Sequence, residues 1–286
     1  MIRALKSSFY RFVRTGQIAK VLLFALLIVL FDALFFDSIF AYFYLGSIVR
    51  PRYMDNTWAL LSISVLAIST PFWCGLFASS FVGKDISYRT VNNKITTGIS
   101  RTQIYLADLI VAETATIISV ITSSAFICLI DRFLPVKSGF TFDGRLAGAV
   151  LRSIIICMAF MAFYVLLQYF LGNQIMGLII SLLTIFAVFA GTSLIQGRLE
   201  QPYKTVVSYE ENGEAVIGVN KHYVSGVPRN ILTFLVDASP TSEGVYEIDE
   251  GDKIVKIGTE EGICAVAVFV MSTSAGLVAI NKKEYS

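Results

Sequence analysis

LAGAVLRSIIICMAFMAFYVLLQYFL, which runs from Leu146 to Leu171, carries one charge, Arg152, in 26 positions. A bilayer's hydrocarbon core is about 30 Å thick and needs roughly 20 helical residues to cross it, so this stretch reads as a membrane span. Working outward, similar runs lie at 21–45, 58–82, 104–130, 175–195 and 263–280, which makes six spans in all. The expected fold class is an all-α polytopic membrane protein. Composition agrees, with 55% hydrophobic and 15% charged residues and a mean hydropathy of +0.69, whereas soluble domains are about 45–50% apolar and about 25% charged. The net charge of +2 is too small for the basic footprint of a nucleic-acid binder.

The distribution of charge says more than its sum. Arg3, Lys6, Arg11, Arg14 and Lys20 precede the first span without an acid. Lys84, Arg89, Lys94 and Arg101 follow the second, and Lys282 and Lys283 follow the sixth. Short basic loops mark the cytoplasmic side, and an even span count puts both termini and the second loop on that side together. Ile2, Leu5, Phe9, Phe12 and Val13 recur near helical spacing among those first cations, which predicts an amphipathic helix over 1–15 lying on the inner leaflet. The first apolar run continues through Phe35 and Phe36 to Leu45 with no cleavage-site pattern, so it is expected to stay in the mature protein.

Residues 197–260 form the one sizeable piece between spans, an acidic insert of net charge −5 expected outside the cell between spans five and six. Thr205–Tyr209 and Ala215–Val219 flank Glu-Glu-Asn-Gly, and Val245–Ile248 and Ile254–Ile257 flank Asp-Glu-Gly-Asp, both patterns of β-hairpins. Between them, Asn230 to Val236 reads as a short apolar helix at the outer interface, so the insert is a small α+β unit. The last span holds Ser272, Thr273, Ser274 and Gly276, small residues that let helices approach closely.

Between spans two and three, Gly83-Lys-Asp-Ile-Ser-Tyr-Arg-Thr-Val-Asn-Asn-Lys-Ile-Thr-Thr-Gly-Ile-Ser-Arg-Thr-Gln-Ile-Tyr-Leu106 is unusually polar. Gly98 suits a helix end with positive φ, Asn93 and Ser100 suit caps, and Lys94 and Arg101 offer cations to an acidic surface. The stretch resembles the cytoplasmic loop between the second and third spans of bacterial ABC exporter permeases of the ABC type-2 family. In that family an acid is followed by Gly-Thr-Ile, a basic residue, Asn, Lys and a hydrophobe, then Gly, Ser, Arg and an aromatic-containing helix start. Asp85, Thr90, Asn93, Lys94, Ile95, Gly98, Ser100, Arg101, Gln103 and Tyr105 match that pattern. Arg89 stands at the family's Gly, Val91 at its Ile, and Asn92 at the basic position before Asn93. Asp237-Ala-Ser-Pro-Thr-Ser-Glu-Gly244 also looks like the family's Pro-containing outer segment.

The resemblance implies a single permease domain over 1–286 in the bacterial cell membrane. It implies that Asp85, Thr90, Asn93, Lys94, Gly98, Ser100 and Arg101 couple the spans to a separate cytosolic ABC ATPase subunit, which carries ATP and Mg. A second permease copy or homologue completes such an exporter, as a homodimer or heterodimer. Amphipathic peptides are the first expectation for cargo, as in antimicrobial-peptide resistance, with lipids and hydrophobic drugs as the other classes.

The chain has no G-x-x-x-x-G-K-S/T loop, so no P-loop nucleotide site is expected in it, nor any cofactor of its own. Its one histidine, His222, lies in the insert, and Cys74, Cys128, Cys157 and Cys264 form no closely spaced pair. Neither a metal site nor a Ser-His dyad is therefore expected, and the chain is not expected to be an enzyme. Ionisable residues within spans are candidates for function. Asp32, Asp108 and Glu113 are candidates for a translocation path, and Asp37 with Arg152 for a structural ion pair. Two rivals to the exporter are an ion-gradient-driven transporter, which commonly carries internal repeats that are not visible here, and a polytopic intramembrane enzyme built on Asp32 and Glu113.

Overall fold

The computed structural model describes residues 1–31, 57–133, 144–209, 215–237, 239 and 259–282. The chain opens with α1 (Ile2–Arg14) and α2 (Gln17–Phe31), bent by 59° at Gly16, whose φ is +68°. Then come α3 (Thr57–Ala78), a π-helical turn (Ser79–Gly83), and two short helices, α4 (Lys84–Ser87) and α5 (Thr90–Thr96). Three long helices follow: α6 (Arg101–Phe133), α7 (Gly144–Leu171) and α8 (Gln174–Leu199). The strands β1 (Lys204–Tyr209) and β2 (Ala215–Val219), the helix α9 (Val227–Asp237) and the long α10 (Thr259–Lys282) complete the described residues.

Five helices are long and apolar enough to cross a membrane, and the bent α1–α2 pair makes six if it counts as one. A helix satisfies every backbone hydrogen bond within its own segment, which hydrocarbon requires. The spans expected at 104–130, 175–195 and 263–280 are each extended at both ends, to Arg101–Phe133, Gln174–Leu199 and Thr259–Lys282. Expected span two does not stop at 82, because the π turn carries the helical path on into α4. Expected span one begins earlier, at Gln17, and its part beyond Phe31 lies outside the described residues.

The central helix is α7, which packs against α3, α6, α8 and α10. Small residues set the closest approaches. A Cβ on Gly276 of α10 would overlap the Tyr105 ring of α6, and Ser272, Gly276 and Ile280 lie buried on one face of α10 while Ser274 is exposed. On α8, Gly177 and Ser181 face inward, with Ser181 packed against Gly75 of α3. An aromatic column of Trp73, Phe77 and Phe81 runs down α3 into the π turn, with centroids 5.1 and 5.4 Å apart. Phe12 of α1 meets it edge-on at 6.0 and 6.3 Å, and Phe24 of α2 meets Trp73 at 5.8 Å.

Hydrogen bonds gather several chain segments at one end of the bundle. Arg101 Nη1 donates to the Asn281 carbonyl at 3.5 Å, and Thr102 Oγ1 lies 3.4 Å from Asn281 Oδ1. Ser79 Oγ donates to the Gln174 carbonyl at 3.0 Å, while Gln174 N donates to Ser87 Oγ at 3.1 Å. From α1, Ser8 Oγ donates to Asp108 near the start of α6 and Arg11 pairs with Asp85 of α4, so the basic segments around α1, α4–α5 and Lys282 share one end, as the Lys and Arg count predicts. At about 1.5 Å per residue, the 26 residues of α8 carry the chain to the opposite end.

There β1 and β2 pair antiparallel with an irregularity between Val206 and Ser208, which matches the first expected hairpin. The short helix α9 covers the expected Asn230–Val236 and packs on α8; close by, Thr192 Oγ1 and Ser239 Oγ lie 2.8 Å apart. Arg229 donates to the Leu199 carbonyl at 3.1 Å. The second expected hairpin lies outside the described residues, as does all but Asp237 and Ser239 of the Asp237–Gly244 stretch.

Overpacking a close helix contact costs about 1–3 kcal/mol. Gly276→Ala should lower the thermal unfolding midpoint of the detergent-solubilised protein, and the same change should cost less in a Tyr105→Ala background, where the ring it meets is gone. Unfolding followed by size-exclusion chromatography after heating reads both.

Candidate functional site

The polar loop folds into α4 and α5, joined by a turn at Tyr88 and Arg89. Arg89 has φ +56° and ψ +20°, and among the described residues it is the one non-glycine with positive φ. This is the position where the resembled family has Gly. The left-handed conformation crowds a Cβ and costs roughly 1–2 kcal/mol in any residue but Gly. Gly98, with φ +84°, ends the loop as its sequence predicts. Ser100 Oγ accepts weakly from Gln103 N at 3.4 Å, whereas Asn93 contributes its carbonyl, which accepts from Thr96 Oγ1 at 2.9 Å. Thr90 opens α5 half-buried.

Beneath this loop four charges are gathered from four elements. Asp108 of α6 is fully buried, and it accepts from Ser8 Oγ of α1 at 2.7 Å and from Tyr169 OH of α7 at 2.8 Å. Lys94 Nζ of α5 lies 2.9 Å from Asp85 Oδ2 of α4 and 3.6 Å from Asp108 Oδ1. Arg11 of α1 pairs with Asp85, and its Nη2 lies 3.6 Å from Asp108 Oδ1. The Arg11 guanidinium also sits over the Phe81 ring, 3.9 Å from its centroid, where the ring face attracts a cation. Two cations thus meet two carboxylates. Burial pushes both the Arg11 and Lys94 groups below their usual ranges, and the Asp108 charge opposes that push.

This geometry revises two sequence expectations. Lys94 was read as a cation held out to a partner, yet its side chain is 12% exposed and paired within the chain. Arg11 was read as one of the solvating charges of an inner-leaflet helix, yet α1 docks on the bundle through Ala4, Ser8, Phe12 and Arg11, while Ile2 and Val13 are exposed. Sequence reading missed Arg11, Ser8 and Tyr169 as partners of Asp108. The spacing of Ala4, Ser8 and Phe12 was the available signal, since it puts small residues and one Phe on a single helical face. It also missed Tyr88, which is 70% exposed at the tip of the loop with Lys84 and Arg89 exposed beside it.

The remaining candidates are not part of this junction. Glu113 is buried in the middle of α6, Arg152 is half-buried on α7, and Arg101 is bound to the end of α10. Asp32 and Asp37 lie outside the described residues. His222 is exposed in the insert, with Nδ1 3.3 Å from Arg198 Nη1. Among the described residues, no group of three His, Cys, Asp or Glu side chains is arranged to hold a metal ion.

Large apolar side chains such as Leu183, Phe186 and Leu194 of α8, and Ile263 and Met271 of α10, stand exposed along helices of membrane-spanning length. Water would not tolerate so long an apolar surface, whereas lipid chains match it. These features define a polytopic helical membrane protein. Compared with protein-family models, curated proteins and solved structures, the chain matches none.

Removing one member of a buried ion cluster leaves charge uncompensated and costs about 3 kcal/mol or more. Lys94→Met should therefore lower stability by that order, while Lys84→Met, at an exposed site, should change it by less than about 0.5 kcal/mol. At the left-handed turn, Arg89→Gly should be neutral or stabilising and Arg89→Val destabilising by about 1–2 kcal/mol. Thermal unfolding of the purified variants in one detergent checks all four.

Proposed function

We propose that the chain is the transmembrane permease subunit of an ATP-driven ABC exporter of the type-2 family. It works with a separate cytosolic ATPase subunit and a second permease copy or homologue. The single observation that carries this reading is the charged junction under α4 and α5. The loop that resembles the family's coupling loop is anchored by Asp85 and Lys94 to α1 and α6, and through Asp108 to α7. A push on the loop therefore reaches three helices without passing through a flexible link. The left-handed backbone at Arg89, the family's Gly position, supports the resemblance in shape.

In this reading ATP binding and hydrolysis, with Mg, occur on the partner subunit. Closure of the ATPase pair displaces α4 and α5, and the spans open a path outward for an amphipathic or hydrophobic cargo, peptides first. Both termini and the loop face the cytoplasm of a bacterial cell, and the insert faces outward. The surface offered to the ATPase is the exposed edge of Lys84, Tyr88, Arg89 and Asn93 rather than Lys94. An exposed aromatic among cations is the composition of an interface anchor.

Tyr88→Ala combined with Arg89→Glu should cut stimulated ATP hydrolysis by the cognate subunit at least about tenfold, a loss of about 1.4 kcal/mol of coupling. The permease itself should unfold at its parental temperature. Unchanged turnover and unchanged complex formation would remove the coupling role from this edge. Cysteine labelling in intact cells tests the topology: position 221 should react with a membrane-impermeant maleimide from outside, and position 89 only after permeabilisation.

A further inference from the structure

The short helix α9 has three distinct sides. Val227, Ile231, Phe234 and Leu235 recur at helical spacing, so they share one side, and all four are exposed. Asn230, Thr233 and Asp237 form a second side, polar and also exposed. Arg229, Leu232 and Val236 form the third, half-buried to buried, on the side where Arg229 is bonded to α8.

Two contacts set how α9 runs. At its start Arg229 Nη2 donates to the carbonyl of Leu199, the last residue of α8, at 3.1 Å, and just past its end Ser239 Oγ lies 2.8 Å from Thr192 Oγ1. At 1.5 Å per residue the path from Thr192 to Leu199 is about 10 Å, and that from Arg229 to Asp237 is about 12 Å. Helix α9 therefore runs back along α8, antiparallel to it, rather than across its end. Leu199 lies beyond the apolar run at 175–195 and Thr192 lies within it. The helix thus starts past the end of that run and finishes level with its interior, where α8 shows Phe189 and Leu194 to lipid.

Residues typical of a membrane boundary surround the start of α9. The Tyr203 and Tyr223 rings meet edge-on with centroids 5.3 Å apart, and the Arg229 guanidinium lies 5.1 Å from the Tyr223 centroid. Arg198, one helical turn beyond Leu194 on the same side of α8, is exposed and lies against His222. Tyrosines and long-stemmed cations collect at the headgroup level.

We propose that α9 is a re-entrant wedge whose apolar side is covered by phospholipid of the leaflet opposite the charged junction. Acyl chains cover Val227, Ile231, Phe234 and Leu235, and headgroup phosphates meet the exposed cations Arg198 and Lys221 near the helix start. The side of Asn230, Thr233 and Asp237 stays in water. This goes beyond the exporter reading and does not depend on it, since it requires only that the bundle sit in a bilayer.

The test places single tryptophans on the two exposed sides of α9 in the full chain, in nanodiscs, where solutes reach both bilayer faces. Ile231→Trp is compared with Thr233→Trp, and Leu235→Trp with Asp237→Trp, after subtraction of the parental emission of Trp58 and Trp73. All four sites are exposed, so the contacts with α8 are kept, and either pair alone decides the outcome. In phosphatidylcholine brominated along its chains, positions 231 and 235 should be quenched at least about twofold more than 233 and 237, because an apolar helix face sinks about 5–10 Å into the headgroup and acyl boundary. Iodide in the buffer should give the reverse order. Iodide quenching as strong at 231 and 235 as at 233 and 237 means a wet face and overturns the proposal. Quenching by neither agent at 231 and 235 means that a second copy or another part of the chain covers that side, and overturns it as well. Either result leaves the coupling role of Tyr88 and Arg89 to its own assay.

Discussion

Arg11, Asp85, Lys94 and Asp108 must stay together for the basic end of this bundle to keep its shape. Each comes from a different helix, and Asp108 is wholly buried. An isolated buried charge costs several kcal/mol even after relaxation, so none of the four can leave without stranding the others. That constraint turns the N-terminal helix into a brace: Phe12 enters the aromatic column of α3 while Arg11 caps it over Phe81. It also turns a polar loop into a fixed element. The cluster adds no net charge, so it holds the helices in register without drawing an ion of its own.

Away from the junction the helices are held by fit. Lipid chains are as apolar as the side chains, so spans associate through close packing and hydrogen bonds rather than through escape from water. Gly83 and Gly177 leave room for the end of the fully buried Gln168 side chain, and Gly276 leaves room for Tyr105. The π turn at Ser79–Gly83 sits where α3 hands over to the loop, with Ser79 and Ser87 both bonded to Gln174. An irregular helical turn of this kind commonly marks a functional position. Here it joins the span, the junction and the α7–α8 corner at one place.

The same loop shows how a sequence pattern and a surface can differ. Residue types alone made Lys94 and Arg101 the cations that a partner would meet. In three dimensions Lys94 neutralises acids of its own chain and Arg101 binds the end of α10, and the outward edge passes to Tyr88 and its flanking cations. Asp108 was legible as a candidate because an acid near the end of a span is costly. Its role was not legible, since Ser8, Arg11 and Tyr169 lie far from it in the chain and share no period with it.

Hydropathy and helical length determined by themselves that this is a polytopic helical protein, roughly where its spans run, and which segments share an end. Hydrocarbon penalises every unsatisfied backbone group, and that penalty can be read residue by residue. Local turn chemistry likewise determined Gly98 and the first hairpin, because both depend on neighbours in the chain. Only the tertiary structure decided that α1 turns Arg11 inward, that the loop's Lys94 is paired within the chain, and that Glu113 stands without a hydrogen-bond partner among the described residues. Those are questions of which side chain meets which across helices. The answer depends on the rotation and approach of packed cylinders, set by small residues such as Gly276 and Gly177, and no local period encodes it.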